Sequence, residues 1–210
     1  MKVAVLASGT GTNLQALLDQ VHRREGIEIV AVASDKPEAQ ALERAAAAGV
    51  PTAVFERAAF AGDRLARDRA MADWLRERGT QLVVMAGYMQ IVSEEFLDRF
   101  PDAVINLHPS LLPAFPGADA IGQAIAYGVK VFGVTVHFAD AGVDSGPVIM
   151  QRSIELPDAR ELDDVRPQLN SIEYQILPEV VRLFARGAVR ISPTHPRRVL
   201  VGPSAVLPES

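Results

Sequence analysis

Val3-Ala4-Val5-Leu6-Ala7-Ser8-Gly9-Thr10-Gly11-Thr12-Asn13-Leu14 reads as a buried strand that breaks in a glycine turn and continues as a helix. The run from Val3 to Ala7 is apolar throughout, and Leu14, Leu17, Leu18 and Val21 then recur at helical spacing. The same unit returns downstream. Ile27 to Ala33 is a second apolar strand, and the alanine-rich segment from Pro37 to Ala48 reads as a helix opened by its proline and stopped by Gly49. Thr52 to Phe55 is a short strand, Leu65, Met71, Trp74 and Leu75 trace one helical face between Asp63 and Arg78, and Leu82 to Ala86 resumes as strand. Ser93 caps a short helix. Val104 to His108 is the fifth strand, Ile121 to Tyr127 a helix, and Val131 to Phe138 and Val148 to Ile154 two further strands. A long helix spans Glu161 to Arg186, kinked or restarted at Pro178. Strands separated by helices imply an α/β fold, a Rossmann-like, doubly wound, mostly parallel sheet with its ligand crevice outside the strands' carboxyl ends. The expected organisation is one domain over residues 1–190, with the proline-rich segment 191–210 as a poorly ordered tail.

Composition narrows the partners. With 210 residues and 49% hydrophobic content the chain can bury a continuous core. Lys+Arg of 21 against Asp+Glu of 26 gives a net charge of −5, which argues against general binding to nucleic acid or an anionic membrane. Small-molecule substrates are the expected partners, with monomer and homodimer both open. The absence of cysteine excludes disulfides, thiolate catalysis and cysteine-based zinc sites. The N-terminus enters its first strand without the long apolar region of a signal peptide, and no apolar run reaches membrane-spanning length, so a cytoplasmic protein is expected.

The chemistry concentrates in Val104-Ile105-Asn106-Leu107-His108-Pro109-Ser110-Leu111-Leu112-Pro113. Residues i and i+2 of a strand face the same way, so Asn106 and His108 point together, and Pro109 ends the strand there. An amide donor beside a titratable ring suits the stabilisation of an oxyanion. The plainer alternative is a core histidine satisfied by a carbonyl. Asp144 lies in a separate loop, and a carboxylate brought near His108 would raise the pKa of the ring, although spacing alone does not bring them together. His137 reads as packing, because a metal pair with His108 lacks a third ligand. The turn from Ser8 to Asn13 offers free N–H groups and the positive end of a helix dipole, which suits a phosphate; a tight turn without ligand is equally consistent. Leu14 stands where a dinucleotide fingerprint wants glycine or alanine, and this opposes an NAD(P)-dependent oxidoreductase that would use the turn with Asp35.

Four segments together resemble a known family. Ser8-Gly9-Thr10-Gly11-Thr12-Asn13-Leu14-Gln15, Met85-Ala86-Gly87-Tyr88-Met89, Asn106-Leu107-His108-Pro109-Ser110-Leu111-Leu112-Pro113 and Asp144-Ser145-Gly146-Pro147 occur in the order and spacing of the folate-dependent formyltransferases. Through about Gly187 the chain resembles their glycinamide ribonucleotide branch, the phosphoribosylglycinamide formyltransferases. The resemblance implies formyl transfer from the cosubstrate 10-formyltetrahydrofolate to the amine of 5'-phosphoribosylglycinamide in purine (IMP) biosynthesis, with no metal. It implies a tetrahedral intermediate stabilised by Asn106 and His108, with Asp144 raising the histidine pKa. It further implies that Gly11, Thr12 and Asn13 hold the substrate phosphate and Glu173 the ribose hydroxyls. Arg64 then meets the folate's glutamate end, and Met89, Gln90, Ile91, Val92 and Asn106 make the remaining folate contacts. Two positions depart from the pattern: Gln90 stands where the family commonly has a basic residue, and Asp119 where it usually has histidine. These departures motivate a further alternative, a non-catalytic ligand-binding protein of the same fold, against which the intact Asn106, His108 and Asp144 set weighs.

Overall fold

A computed structural model of the protein describes residues 1–202. In chain order the strands are β1 Lys2–Leu6, β2 Glu28–Ser34, β3 Thr52–Val54, β4 Leu82–Met85, β5 Val104–His108, β6 Val131–Phe138 and β7 Val148–Glu155. Between and after them lie α1 Thr12–Gln20, α2 Gln40–Ala47, α3 Arg64–Glu77, α4 Glu94–Asp98, α5 Ala120–Tyr127 and α6 Leu162–Ala185. The seven strands form one sheet in the order β3-β2-β1-β4-β5-β6-β7. β1 runs parallel to β2 and β4, and β2 to β3, whereas β6 and β7 are antiparallel. The mostly parallel α/β sheet expected from the alternation is therefore present. The chain packs as two compact units that divide after Ile105.

In the unit Met1–Ile105, Val3 to Leu6 of β1 and Ala31 to Ala33 of β2 are wholly buried, as continuous apolar runs in a parallel sheet must be. Leu14 and Leu17 of α1 and Ala41 and Ala45 of α2 are buried as well. Gly11 caps α1 in the left-handed region, with φ +70°. A Cβ on Gly11 would lie 2.7 Å from the Cα of Ala41, so this turn requires glycine for its conformation and for the close approach of α2. α2 begins at Gln40 and not at Pro37, because Pro37 and Glu38 form a turn of their own. Asp63 caps α3 by accepting from the N–H groups of Leu65 and Ala66. The buried face of α3 differs from the expected one: Met71 and Leu75 are buried, but Leu65 is exposed and the charged neighbours Arg67 and Asp68 are inside.

In the unit from Asn106 onward, α6 begins in a capping box between Glu161 and Asp164 and continues for 24 residues through Pro167 and Pro178. Packing of Leu169, Ile176, Leu177, Val180 and Val181 holds the helix where a proline removes a ladder bond, so it does not restart at Pro178. The expected poorly ordered tail is corrected over its first part. Strand β8, Val189–Ser192, pairs antiparallel with β9, His195–Val201, around a turn at Pro193 and Thr194. The prolines sit at the turn and beside it, where a missing N–H costs the ladder little. Residues 203–210 of that tail lie outside the described residues. No described helix is long and apolar enough to cross a membrane.

Candidate active site

Asn106 and His108 fall on one face at the end of β5, and Pro109 turns the chain away. The loop that follows is fastened by side chains of β6 and β7. Thr135 donates to the Ser110 carbonyl at 2.6 Å and accepts from the Leu112 N–H at 3.1 Å, and Gln151 donates to the Leu112 carbonyl at 2.9 Å. Ser110 donates to the Ala114 carbonyl at 2.6 Å. So folded, the loop sets the Phe115 carbonyl 2.8 Å from His108 Nε2 and aims the Gly117 N–H at Asp144 Oδ2, 2.8 Å away.

Asp144 thus meets both strand residues. Its Oδ2 lies 3.3 Å from His108 Nδ1, and its Oδ1 accepts from the Asn106 amide at 3.1 Å. His137 completes the cluster: its Nε2 is 3.2 Å from Asn106 Nδ2 and 3.6 Å from Asp144 Oδ1. The Nδ1 of His137 faces the Phe138 carbonyl at 2.8 Å, so in the neutral ring Nδ1 donates and Nε2 accepts an amide hydrogen of Asn106. Both amide hydrogens are then committed. Burial alone would push the Asp144 carboxyl up, but a hydrogen bond from Nε2–H of the protonated His137 ring, the Gly117 N–H and the charge of the two nearby imidazoles when protonated outweigh it and hold the group at about 2. It is ionised at neutral pH.

The Asp144-Ser145-Gly146-Pro147 segment has a local reason for its residues. A Cβ on Gly146 would lie 1.8 Å from the Phe138 carbonyl oxygen, so only glycine lets this loop close against the end of β6. Pro147 accepts from the Phe138 N–H at 2.9 Å, and Asp144 itself has φ +50°. Tertiary structure thereby joins three residues whose meeting spacing alone did not dictate. It also assigns His137 to the cluster, where sequence reading saw packing. The one available signal was its place at the end of β6 beside a loop rich in turn residues.

Asp119 is exposed, and its carboxylate folds over its own helix, so close to Gly122 that a Cβ there would meet it at 2.4 Å. The 109–119 loop reaches Asp144 through the Gly117 N–H instead. Glu173 is buried on α6. Among the described residues no three His, Cys, Asp or Glu side chains are grouped to hold a metal ion.

In the other unit the Ser8 to Asn13 turn carries a cation that sequence reading did not see. Arg44, from α2, donates through Nε to the Thr10 carbonyl at 2.8 Å and through Nη1 to Gln15 Oε1 at 3.2 Å. A cavity of about 490 Å³ lined by Gln15, Gln40, Glu43, Arg44, Ala47 and Ala48 lies beside it. Arg64 is the exposed first residue of α3. In the segment after β4, Met89 and Ile91 are 56% and 47% exposed, Gln90 is half-buried and Val92 buried. Asp35 accepts from Ser8 Oγ and from Gln90 Nε2 at 3.0 Å, so the carboxylate that an NAD(P) ribose would need is already engaged.

Residues 1–181 match the family model described as formyl transferase. Phosphoribosylglycinamide formyltransferase of Bacillus subtilis is 38% identical over 182 residues, which is 86% of this chain and 93% of that protein. The bovine trifunctional purine biosynthetic protein adenosine-3 is 38% identical over 90% of this chain, a match confined to 19% of its own length. Among solved structures, glycinamide ribonucleotide transformylase 1 from Symbiobacterium toebii superposes with a TM-score of 0.89 at 45% identity, covering 96% of this chain and 93% of that one.

Proposed function

We propose the following chemistry from the premise that this chain belongs to the formyl transferase family and is a formyltransferase of purine biosynthesis. The formyl donor is 10-formyltetrahydrofolate and the acceptor is the amine of phosphoribosylglycinamide. The neutral amine attacks the formyl carbon; a C–N bond forms, negative charge gathers on the formyl oxygen, and the bond to N10 of the folate then breaks. The proton lost by the attacking amine ends on N10.

The observation that supports this reading is the meeting of Asp144 with both Asn106 and His108, at 3.1 and 3.3 Å. Ionised Asp144 accepts from His108 Nδ1–H through Oδ2 and orients the ring. With its second proton, the ring turns Nε2–H toward the formyl oxygen, which replaces the Phe115 carbonyl as acceptor. The Asn106 amide releases His137 in the same way. Catalytic hydrogen bonds often form fully only with substrate bound. A donor aimed at developing charge is worth about 3–4 kcal/mol of barrier when removed. Gly11, Thr12 and Asn13 hold the phosphate through backbone donors, and Glu173 takes the ribose hydroxyls. Arg64 meets the folate's glutamate end, and Met89, Gln90, Ile91 and Val92 contact its ring system.

An absorbance assay for folate turnover tests the assignment. Turnover should require the ribonucleotide; folate consumed at the same rate without it would reject the acceptor, and no turnover with both present would reject the activity.

A further inference from the structure

Arg67 and Asp68 of α3 are both fully buried and paired at 2.6 Å, yet nothing in the proposed chemistry uses them. Two buried charges are costly to desolvate, and a buried pair is often no more stabilising than the apolar residues that would replace it. The contacts of the pair give it a role besides stability.

All three nitrogens of the guanidinium are engaged. Nε and Nη2 donate to Asp68 Oδ1 at 2.9 and 2.6 Å, Nη2 also reaches the Ile91 carbonyl at 3.4 Å, and Nη1 donates to Gln90 Oε1 at 3.3 Å. The other oxygen of Asp68 accepts from the Ser93 N–H at 2.6 Å. Gln90 passes the network on through Nε2 to Asp35 at 3.0 Å, Asp35 accepts from Ser8 Oγ, and Ser8 Oγ accepts from the Met89 N–H at 2.8 Å. The loop after β4 is thus tied at residues 89, 90, 91 and 93 by side chains from the β1 turn, the end of β2 and α3. The N–H groups of Met89 and Ser93 and the carbonyl of Ile91 turn inward, while the Met89 and Ile91 side chains remain exposed and apolar.

We infer that Arg67, acting with Asp68 and through Gln90, is a positioning residue that fixes residues 89–93 as a preformed apolar platform for the ring system of the folate cosubstrate. The inference rests on the reading above that this segment contacts folate. A planar guanidinium is suited to the task because its fixed fork serves a carboxylate, a carbonyl and an amide at once, which a lysine ammonium on a flexible stem does not. A loop held in its bound form also loses less conformational freedom on binding.

The test compares Arg67→Met, Arg67→Lys and Gln90→Leu by steady-state kinetics with each substrate varied, and by amide hydrogen exchange of the unliganded enzyme. Arg67→Met should raise the folate KM about tenfold or more while the ribonucleotide KM changes by less than about twofold. Arg67→Lys should restore little of it. Gln90→Leu, which leaves the ion pair intact, should raise the folate KM about three- to fivefold; because Gln90 is itself read as a folate contact, it carries the test, if Arg67→Met does not fold, through exchange at Met89 and Ser93 in the unliganded enzyme, and unchanged exchange there would overturn the inference. Exchange at Met89 and Ser93 should quicken in each variant without any ligand. Unchanged folate KM in Arg67→Met and Gln90→Leu, with Met89→Ala raising it, would overturn the inference alone, as would an equal rise in both KM values. Unchanged folate KM in Met89→Ala and Ile91→Ala would remove the platform reading and the inference with it.

Discussion

Asn106 and Asp144, 38 residues apart in the chain, share a 3.1 Å hydrogen bond in which the amide donates to the carboxylate, and the same amide nitrogen lies 3.2 Å from His137 Nε2. One side chain therefore links the carboxylate to a second imidazole while His108 occupies the other carboxylate oxygen. The cluster works as a unit, and disturbing any member should reach the others.

Asn106→Ala and Asp144→Asn should each lower kcat by about 100-fold or more with much smaller changes in either KM, the scale expected when a charge-stabilising donor or the orienting carboxylate is lost. Steady-state kinetics with each substrate varied checks this. Near-wild-type turnover in either variant would contradict the mechanism.

Asp144 titrates at about 2 against an ordinary 3.8, because the His137 hydrogen bond and its other partners outweigh the upward push of burial. A folded-state value below the unfolded one stabilises the protein at all pH above about 4, and that stabilisation is lost as pH falls through about 2. It amounts to about 1–2 kcal/mol after allowance for partial solvent access. His137→Leu should move the Asp144 titration upward and shift the acid loss of stability to higher pH. Carboxyl NMR titration and melting curves between pH 5 and 2 measure both, and an unmoved titration would remove His137 as the partner.

Asp119→His should change kcat/KM by less than about tenfold, or about 1.4 kcal/mol, because the carboxylate is exposed, sits over its own helix and is screened by solvent. Kinetics across pH, set beside Asp144→Asn, decides the matter. A loss as large as that of Asp144→Asn would bring Asp119 into the catalytic set.

Arg44→Met should raise the ribonucleotide KM about five- to tenfold and leave the folate KM within about twofold, because Arg44 holds the Thr10 carbonyl toward α2 and the trans peptide then turns the Gly11 N–H the opposite way. Gly11→Val is a less clean probe, since its Cβ would collide with Ala41. Equal changes in both KM values would mean that Arg44 only stabilises the fold.

The sequence alone determined the alternation of strands and helices, the turn at Gly11, the strand carrying Asn106 and His108, and the motifs that resemble the formyltransferases. These are local: apolar runs, helical spacing, proline and glycine act over a few residues, and their physics is complete within the segment. The closing of Asp144 onto Asn106 and His108, the entry of His137, the reach of Arg44 to Thr10 and the burial of Arg67 beside Asp68 were decided only by tertiary structure. Each brings polar groups from distant segments together, Arg44 with Thr10 and the Arg67–Asp68 pair with Gln90, Ile91 and Ser93 among them, and where such groups are buried they must find partners. The hairpin at residues 189–201 shows the same limit from the other side. Its prolines read as a tail, but pairing of Val189–Ser192 with His195–Val201 satisfies the backbone where no residue pattern announced it.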